Sequence, residues 1–261
     1  MFNVICFSSL LLRRMNRIQC FERYHAAVQE HDFRGVVATD PELYRLYQRR
    51  NSFGIKPNQK LHRIFQRRYY EEDVADGYLT LPRASATIWD DELENPLSDV
   101  TVLDSVTGKQ VLLGSLVRSF FAMCWSKRDK PKQSDWDAFS HGKQAMRITT
   151  TAEKLLNRTM DVSDAYYMLR SWLIEVDYKS PCFILQMQKP EEALRKMESN
   201  GALLALSSAV VQTKHSGEDE IRYLFDNGFN ANLPGVVELN ADLIRIPFEW
   251  NNFVDSEQAY P

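Results

Sequence analysis

Three stretches of this chain carry side chains that could do chemistry together: Leu61-His62-Arg63, Cys124-Trp125-Ser126 and Glu218-Asp219-Glu220. A cation or an imidazole can hold the oxygens of a ribose or a phosphate through charge-assisted hydrogen bonds. A serine hydroxyl can orient a glutamate or a ribose hydroxyl. A carboxylate can accept from a ribose 2′-OH and stabilise positive charge growing at an anomeric carbon, the problem that paired carboxylates solve in glycosidases. These are the parts needed to bind NAD and cleave its bond to nicotinamide. In that reading His62 or Arg63 binds, Ser126 orients, Glu220 stabilises the charge, and Glu218 stands beside it. Tyr69, Tyr70 and Trp125 are available to stack on a ring.

The elements that must hold these residues follow from periodicity. If Gly217 to Phe225 is a strand, Glu218, Glu220 and Arg222 share one face while Ile221, Tyr223 and Phe225 point the other way. The same pattern also suits an ordinary solvated strand, on which opposite charges are common. Leu61 to Phe65 and Tyr78 to Pro82 read as strands flanking a helix from Gln66 to Ala75, stopped by Gly77. An acidic loop, Trp89 to Glu94, closes at Pro96, and Val100 to Val111 reads as a hairpin turning at Asp104 to Gly108. Apolar Leu113 to Phe121 runs into Cys124-Trp125-Ser126, and a basic loop, Lys127 to Gln133, separates it from a short helix opening at Ser134. Ala145 to Thr151 is β-branched and strand-like, with Thr151 opening a helix to Arg158. Ala165 to Met187 reads as strand-rich, with apolar runs at Trp172 to Tyr178 and Cys182 to Met187. A helix starts at Pro190 and runs to Ser199. Ala202 to Thr213 is open between helix and strand, and Val236 to Phe248 supplies two short strands after a loop from Asn227 to Pro234.

The sum is an α+β chain: a single domain with a mixed or antiparallel split sheet and flanking helices over 59–261, preceded by a helical N-terminal extension over 1–58. In the extension, Ile18, Phe21, Tyr24, Ala27 and Val28 recur at helical spacing, and Asp40-Pro41 caps a second helix. The apolar Met1 to Leu12 precedes Arg13 and Arg14, the reverse of a secretory signal, and is too short to span a bilayer. It reads as a small buried or partner-seeking segment or as an over-extended start, with Met15 the alternative initiator. The expectation is a cytoplasmic protein with no membrane association. A net charge of −3 argues against a chain built mainly to coat nucleic acid. Four dispersed cysteines, Cys6, Cys20, Cys124 and Cys182, suit a reducing compartment and offer no zinc framework, so no metal site is expected.

Two other classes of function are open. Asp177-Tyr178-Lys179 at the end of an apolar run, with Asp161 and Asp164 upstream, could hold Mg²⁺ and activate water as a nuclease does. A non-catalytic sensor or interaction domain would use the same charged cleft to hold a ligand or partner. Cys124 with His141 or His215 lacks a thiol-protease signature, and neither a P-loop nor a dinucleotide-binding glycine turn is present. Lys127 to Lys132 is most simply a solvated loop, or else a patch for nucleic acid or a nucleotide phosphate.

The succession of Leu61-His62-Arg63-Ile64-Phe65, Gly77 to Pro82, Cys124-Trp125-Ser126, Trp136-Asp137-Ala138-Phe139, Ile148-Thr149-Thr150, and Lys214 ahead of Glu218-x-Glu220-x-Arg222 resembles a large bacterial family of uncharacterised domains. Some of its relatives resemble abortive phage-resistance proteins. The likeness covers roughly Leu61 to Phe248. The layout is similar in turn to the three motifs of ADP-ribosyltransferases: an Arg or His on a first strand, a Ser-containing second motif, and a Glu on a late strand. That resemblance implies His62 or Arg63 as first motif, Ser126 as second and Glu220 as third, with Glu218 on the acceptor side. The second motif lacks the Ser-Thr-Ser run of arginine-modifying members. An NAD-dependent transferase or NAD glycohydrolase follows, as an effector in bacterial defence or a toxin, with a protein or nucleic-acid target and room for a regulatory partner protein.

Overall fold

Runs that are apolar on both sides need neighbours on both sides, and in this chain they fall at the centre of one sheet. The computed structural model describes residues 16–33, 40–89, 91–104, 106–162, 164, 166–198, 200–228 and 235–260. The chain forms two compact units, Met1–Ile55 and Lys56–Pro261, in an α+β architecture.

The first unit has helices Arg17–Phe33 and Pro41–Asn51. The Asp40 carboxylate starts the second by accepting from the backbone N–H groups of Glu42 (2.8 Å) and Leu43 (2.9 Å), donors that no helical carbonyl can satisfy. Phe21 and Phe53 pack with ring centres 5.8 Å apart. Met1 to Leu12 and Met15 lie outside the described residues.

The second unit contains strands β1 (Lys60–Gln66), β2 (Tyr78–Pro82), β3 (Thr101–Leu103), β4 (Gln110–Leu112), β5 (Phe120–Ser126), β6 (Ala145–Thr151) and β7 (Ser171–Glu175). After them come β8 (Asp177–Lys179), β9 (Val210–Gln212), β10 (Glu220–Asp226), β11 (Val237–Asn240), β12 (Leu243–Pro247) and β13 (Ser256–Tyr260). Six of them form an antiparallel sheet in the order β13-β6-β1-β5-β10-β7. Strands β11, β12 and β2 make a second sheet, β3 and β4 a hairpin, and β8 and β9 a short parallel pair. Every residue of β10 is buried, as a strand with two neighbours and two covered faces requires. Helix Arg67–Asp76 follows β1 without a loop and stops at Gly77, whose φ of 72° suits a residue lacking Cβ. Helix Gln133–Ser140 lies against β1 and β6, where Trp136 packs with Ile64 and Ala145.

Three readings from sequence are corrected, and one left open is resolved. The strand expected from Gly217 begins at Glu220: Thr213–Glu218 is a 3₁₀ turn, and Asp219, at φ 50°, redirects the chain between them. Glu218 therefore leaves the strand face it was expected to share with Glu220 and Arg222. Cys182 to Met187 is part of a helix, Pro181–Met187, because Ser180 caps it and Pro181 occupies a first-turn position that favours helix. The helix from Pro190 ends at Leu194, and the ambiguous run divides into helix Ala202–Ser207 and β9. Part of the 227–234 loop lies outside the described residues. Among the described residues no helix is long and apolar enough to cross a membrane, and Cys20, Cys124 and Cys182 are free thiols.

Candidate active site

β1, β5 and β10 are neighbours, and they bring one residue from each of the three stretches into a single row. His62 pairs with Ser126, and Ser126 pairs with Glu220. Paired positions on adjacent strands project to the same face, so residues separated by 64 and 94 positions in sequence become lateral neighbours.

The seam between β1 and β5 then opens. His62 with Ser126 is the sole paired position between these strands, whereas β5 pairs with β10 along its length. Arg63 spans the gap, its Nη1 donating to the Cys124 carbonyl at 2.6 Å. His62, Arg63, Ile64, Cys124, Trp125, Ser126, Glu218 and Glu220 all line the resulting recess. Because the recess is a gap in the sheet, His62 and Arg63 both reach it from opposite sides of one strand. Arg128, Pro131, Asp135, Phe139 and Arg147, from the loop after β5, the next helix and β6, complete the wall. The recess has a cavity volume of about 40 Å³. That is room for a few waters, so a dinucleotide enters only if the loop over the gap moves.

His62 is 5% exposed. Its Nε2 faces Asp129 Oδ1 at 3.2 Å and its Nδ1 faces Thr149 Oγ1 at 3.0 Å. A carboxylate can only accept, which assigns the ring proton to Nε2 and leaves Nδ1 to accept from threonine. Burial, helped by the Arg147 cation and opposed by Asp129, lowers the His62 pKa and favours the neutral ring. The cations of the recess are therefore Arg63, Arg128 and Arg147, with His62 a neutral donor. Arg147 pins the covering loop, Nη2 donating to the carbonyls of Arg128 (2.7 Å) and Asp129 (3.0 Å). Arg128 pairs with Asp135, and Lys127 with Glu175 and Asp219, so half of the basic loop is already neutralised.

Ser126 Oγ donates to the Glu218 carbonyl at 3.0 Å and accepts from the Arg128 N–H at 3.1 Å, tying the serine step to the 3₁₀ turn. Glu220, 3% exposed, accepts from Arg222 Nε at 3.0 Å. The Glu220 N–H donates to Tyr178 Oη at 3.0 Å. Arg222, 1% exposed, also binds both Glu94 oxygens, donates to the Ser208 carbonyl at 2.7 Å, and lies 4.8 Å from the Trp89 ring centre. Burial opposes the guanidinium charge, but Glu220 and Glu94 overcome it and hold the Arg222 pKa well above its ordinary value. The solvated-strand alternative is excluded by this burial. Burial, then the charge of Glu220, pushes up both Glu218 and the Cys124 thiol, a poor setting for a thiolate nucleophile.

Tyr69 and Tyr70 do not line the recess. The helix that begins at Arg67 carries them away from it: Tyr69 is half exposed in a separate surface dip, and Tyr70 is buried with its hydroxyl on Glu257. The aromatic side chains at the recess are Trp125 and Phe139. Asp177 and Lys179 pair with each other at 3.1 Å, and Asp164 pairs with Arg170. Among the described residues no group of three or more His, Cys, Asp or Glu side chains is arranged to hold a metal ion.

Glu94, Asp135, Phe139 and Arg147 have no role in the sequence reading, whereas Arg128 comes from the basic stretch offered there as a patch for a nucleotide phosphate. Arg222 was placed correctly beside Glu220, but its partner Glu94 lies 128 positions away and has no local signature. Comparison with family models, with curated proteins and with solved structures gave no match.

Proposed function

We propose that this chain is an ADP-ribosyltransferase-like domain that takes NAD into the gap between β1 and β5 and cleaves its bond to nicotinamide. The observation that carries the reading is the row His62, Ser126, Glu220 across three adjacent strands, beside a recess that all three line. The wall fits such a substrate: three guanidiniums for phosphate oxygens, Phe139 and Trp125 for a ring, and a buried carboxylate for a ribose. Among the described residues, Arg63 Nε and Trp125 Nε1 are buried donors without an acceptor, a lack that an acceptor-rich guest would fill. Asp129 is 76% exposed, so its carboxylate can leave the His62 ring at small cost and free Nε2–H for a substrate oxygen. Glu220 then accepts from the ribose and offsets positive charge at the anomeric carbon, while Arg222 keeps its carboxylate in place. Glu218 serves the acceptor side. A role as an effector in bacterial defence or toxicity, acting on a protein or nucleic acid, fits the sequence resemblance.

One observation favours a binding domain without turnover: the Glu220 carboxylate is already engaged by Arg222. The two readings separate on one experiment, incubation of the purified chain with NAD labelled in its nicotinamide ring. Catalysis predicts nicotinamide release that falls roughly 10²–10³-fold in Glu220→Gln, the loss expected when a charge aimed at the transition state is removed. A melting curve of the variant must accompany it, because the same substitution touches Arg222. Undiminished release by a folded Glu220→Gln chain would remove this carboxylate from the mechanism.

A further inference from the structure

Glu218 has more partners than the chemistry above uses. Ser126 holds its carbonyl, and His215 Nδ1 lies 3.0 Å from its Oε1. The same imidazole places Nε2 3.3 Å from Asp91 Oδ2, and the Asp91 side chain is 4% exposed. The approach to Asp91 is off the line a hydrogen bond needs, whereas the contact to Glu218 is a hydrogen bond. Asp91 is fixed in turn by Gln212 Nε2, which donates to Oδ1, and by Lys214 Nζ at 3.7 Å. His215 and Glu218 stand three residues apart on the 3₁₀ turn, the spacing at which side chains of that helix eclipse.

We propose that His215, anchored by the buried Asp91, is a positioning residue that presents Glu218 to the nucleophile attacking the ribose. This rests on the NAD reading above. The nucleophile is water or an acceptor hydroxyl or amine. It forms a bond to the anomeric carbon as the bond from that carbon to the nicotinamide nitrogen breaks. The bonding pair leaves with nicotinamide, and the nucleophile's proton passes to Glu218 Oε2. His215 occupies Oε1, which leaves Oε2 as the accepting oxygen. The charged and titratable groups around this carboxylate are Glu220 and Arg222 on β10, His215 and Lys214 on the turn, Asp91 on the loop before β3, Tyr178 on β8 and Arg128 beyond β5. Burial and Glu220 raise the Glu218 pKa; His215 and Arg222 draw it back.

The test is the pH dependence of NAD turnover by the full chain. His215→Ala is expected to lower kcat roughly tenfold or more with little change in KM for NAD, a fraction of what a complete general base supplies. The acid limb of its kcat profile should move to higher pH, because the group that drew Glu218 down is gone. Asp91→Asn should move the limb the same way by less. His215→Asn keeps a donor near the Nδ1 position and should recover much of the rate. His215 is 31% exposed on a surface turn, and melting curves of all three variants verify the fold. A His215→Ala profile that overlays the wild type, or equal losses in the Ala and Asn variants with an unmoved limb, overturns the assignment and leaves the NAD reading standing. A wild-type chain that releases no nicotinamide removes both.

Discussion

The two seams on either side of β5 are made differently. Toward β10 the strands pair at seven positions, from Glu220 with Ser126 to Asp226 with Phe120, and both strands are buried almost throughout. Toward β1 they pair once and part. One seam is closed by a continuous backbone ladder, with the ion cluster of Arg222, Glu220 and Glu94 seated on β10 beside it; the other is bridged by one paired position, an arginine side chain and a loop. A sheet interior offers few ways to admit a guest, since each ladder bond broken leaves a buried donor and acceptor unmet. Here the ladder is already parted, and the loop over the gap is held by side chains that can exchange partners.

The comparison breaks most readily at the closed seam. Arg222→Met would leave Glu94 and Glu220 buried without their shared cation, and stability at neutral pH should fall by about 3–5 kcal/mol in urea titration. The deficit should shrink on acidification, since protonation of Glu94, whose carboxyl pKa burial already pushes up, relieves part of it; a midpoint equal to the wild type would mean that the cluster adds nothing to the stability of β10. At the open seam, Arg63→Met removes the side-chain bond from β1 to the Cys124 carbonyl of β5. The expected cost is smaller, about 1–3 kcal/mol for a charged donor to a carbonyl, and the NAD reading proposed above adds weaker NAD binding by calorimetry. A loss as large as that of Arg222→Met would make the gap as structural as the ladder opposite.

Glu218→Gln gives the smallest and most diagnostic change. Burial and Glu220 raise the Glu218 pKa in the folded chain, so its contribution to stability is complete below the unfolded value near 4.3 and is lost as pH rises through the folded one. The amide escapes that loss. Gln should therefore melt slightly higher than the wild type at pH 7 to 8 and match it below about pH 4. A wild type that melts higher at pH 8 would show that the charged form is favoured by the fold.

The strands that carry the row were legible because their apolar alternation is strong: Leu61 to Phe65, the run into Cys124-Trp125-Ser126, and Ile221, Tyr223, Phe225. The start of β10 was not, since one left-handed residue, Asp219, undoes the alternation without altering it in the text of the sequence. Strand β13 was missed because four of its five residues are exposed and it has no apolar face to betray it. Cys182 to Met187 misled because a short apolar run has no period, although Ser180-Pro181 ahead of it was a readable helix start. The acidic loop from Trp89 to Glu94 was seen, but that Asp91 and Glu94 turn inward depends on partners more than a hundred positions away.

The row has a consequence for how the protein is made. Its three members are contributed by strands ending at Gln66, Ser126 and Asp226, so a nascent chain that has emerged only as far as Gly217 already carries the imidazole and the hydroxyl but lacks the acid. Synthesis runs from the N-terminal side at several residues per second, and pairings this distant form late. During translation, the ribosome carries a polypeptide with no assembled centre until the strand from Glu220 to Asp226 has been added.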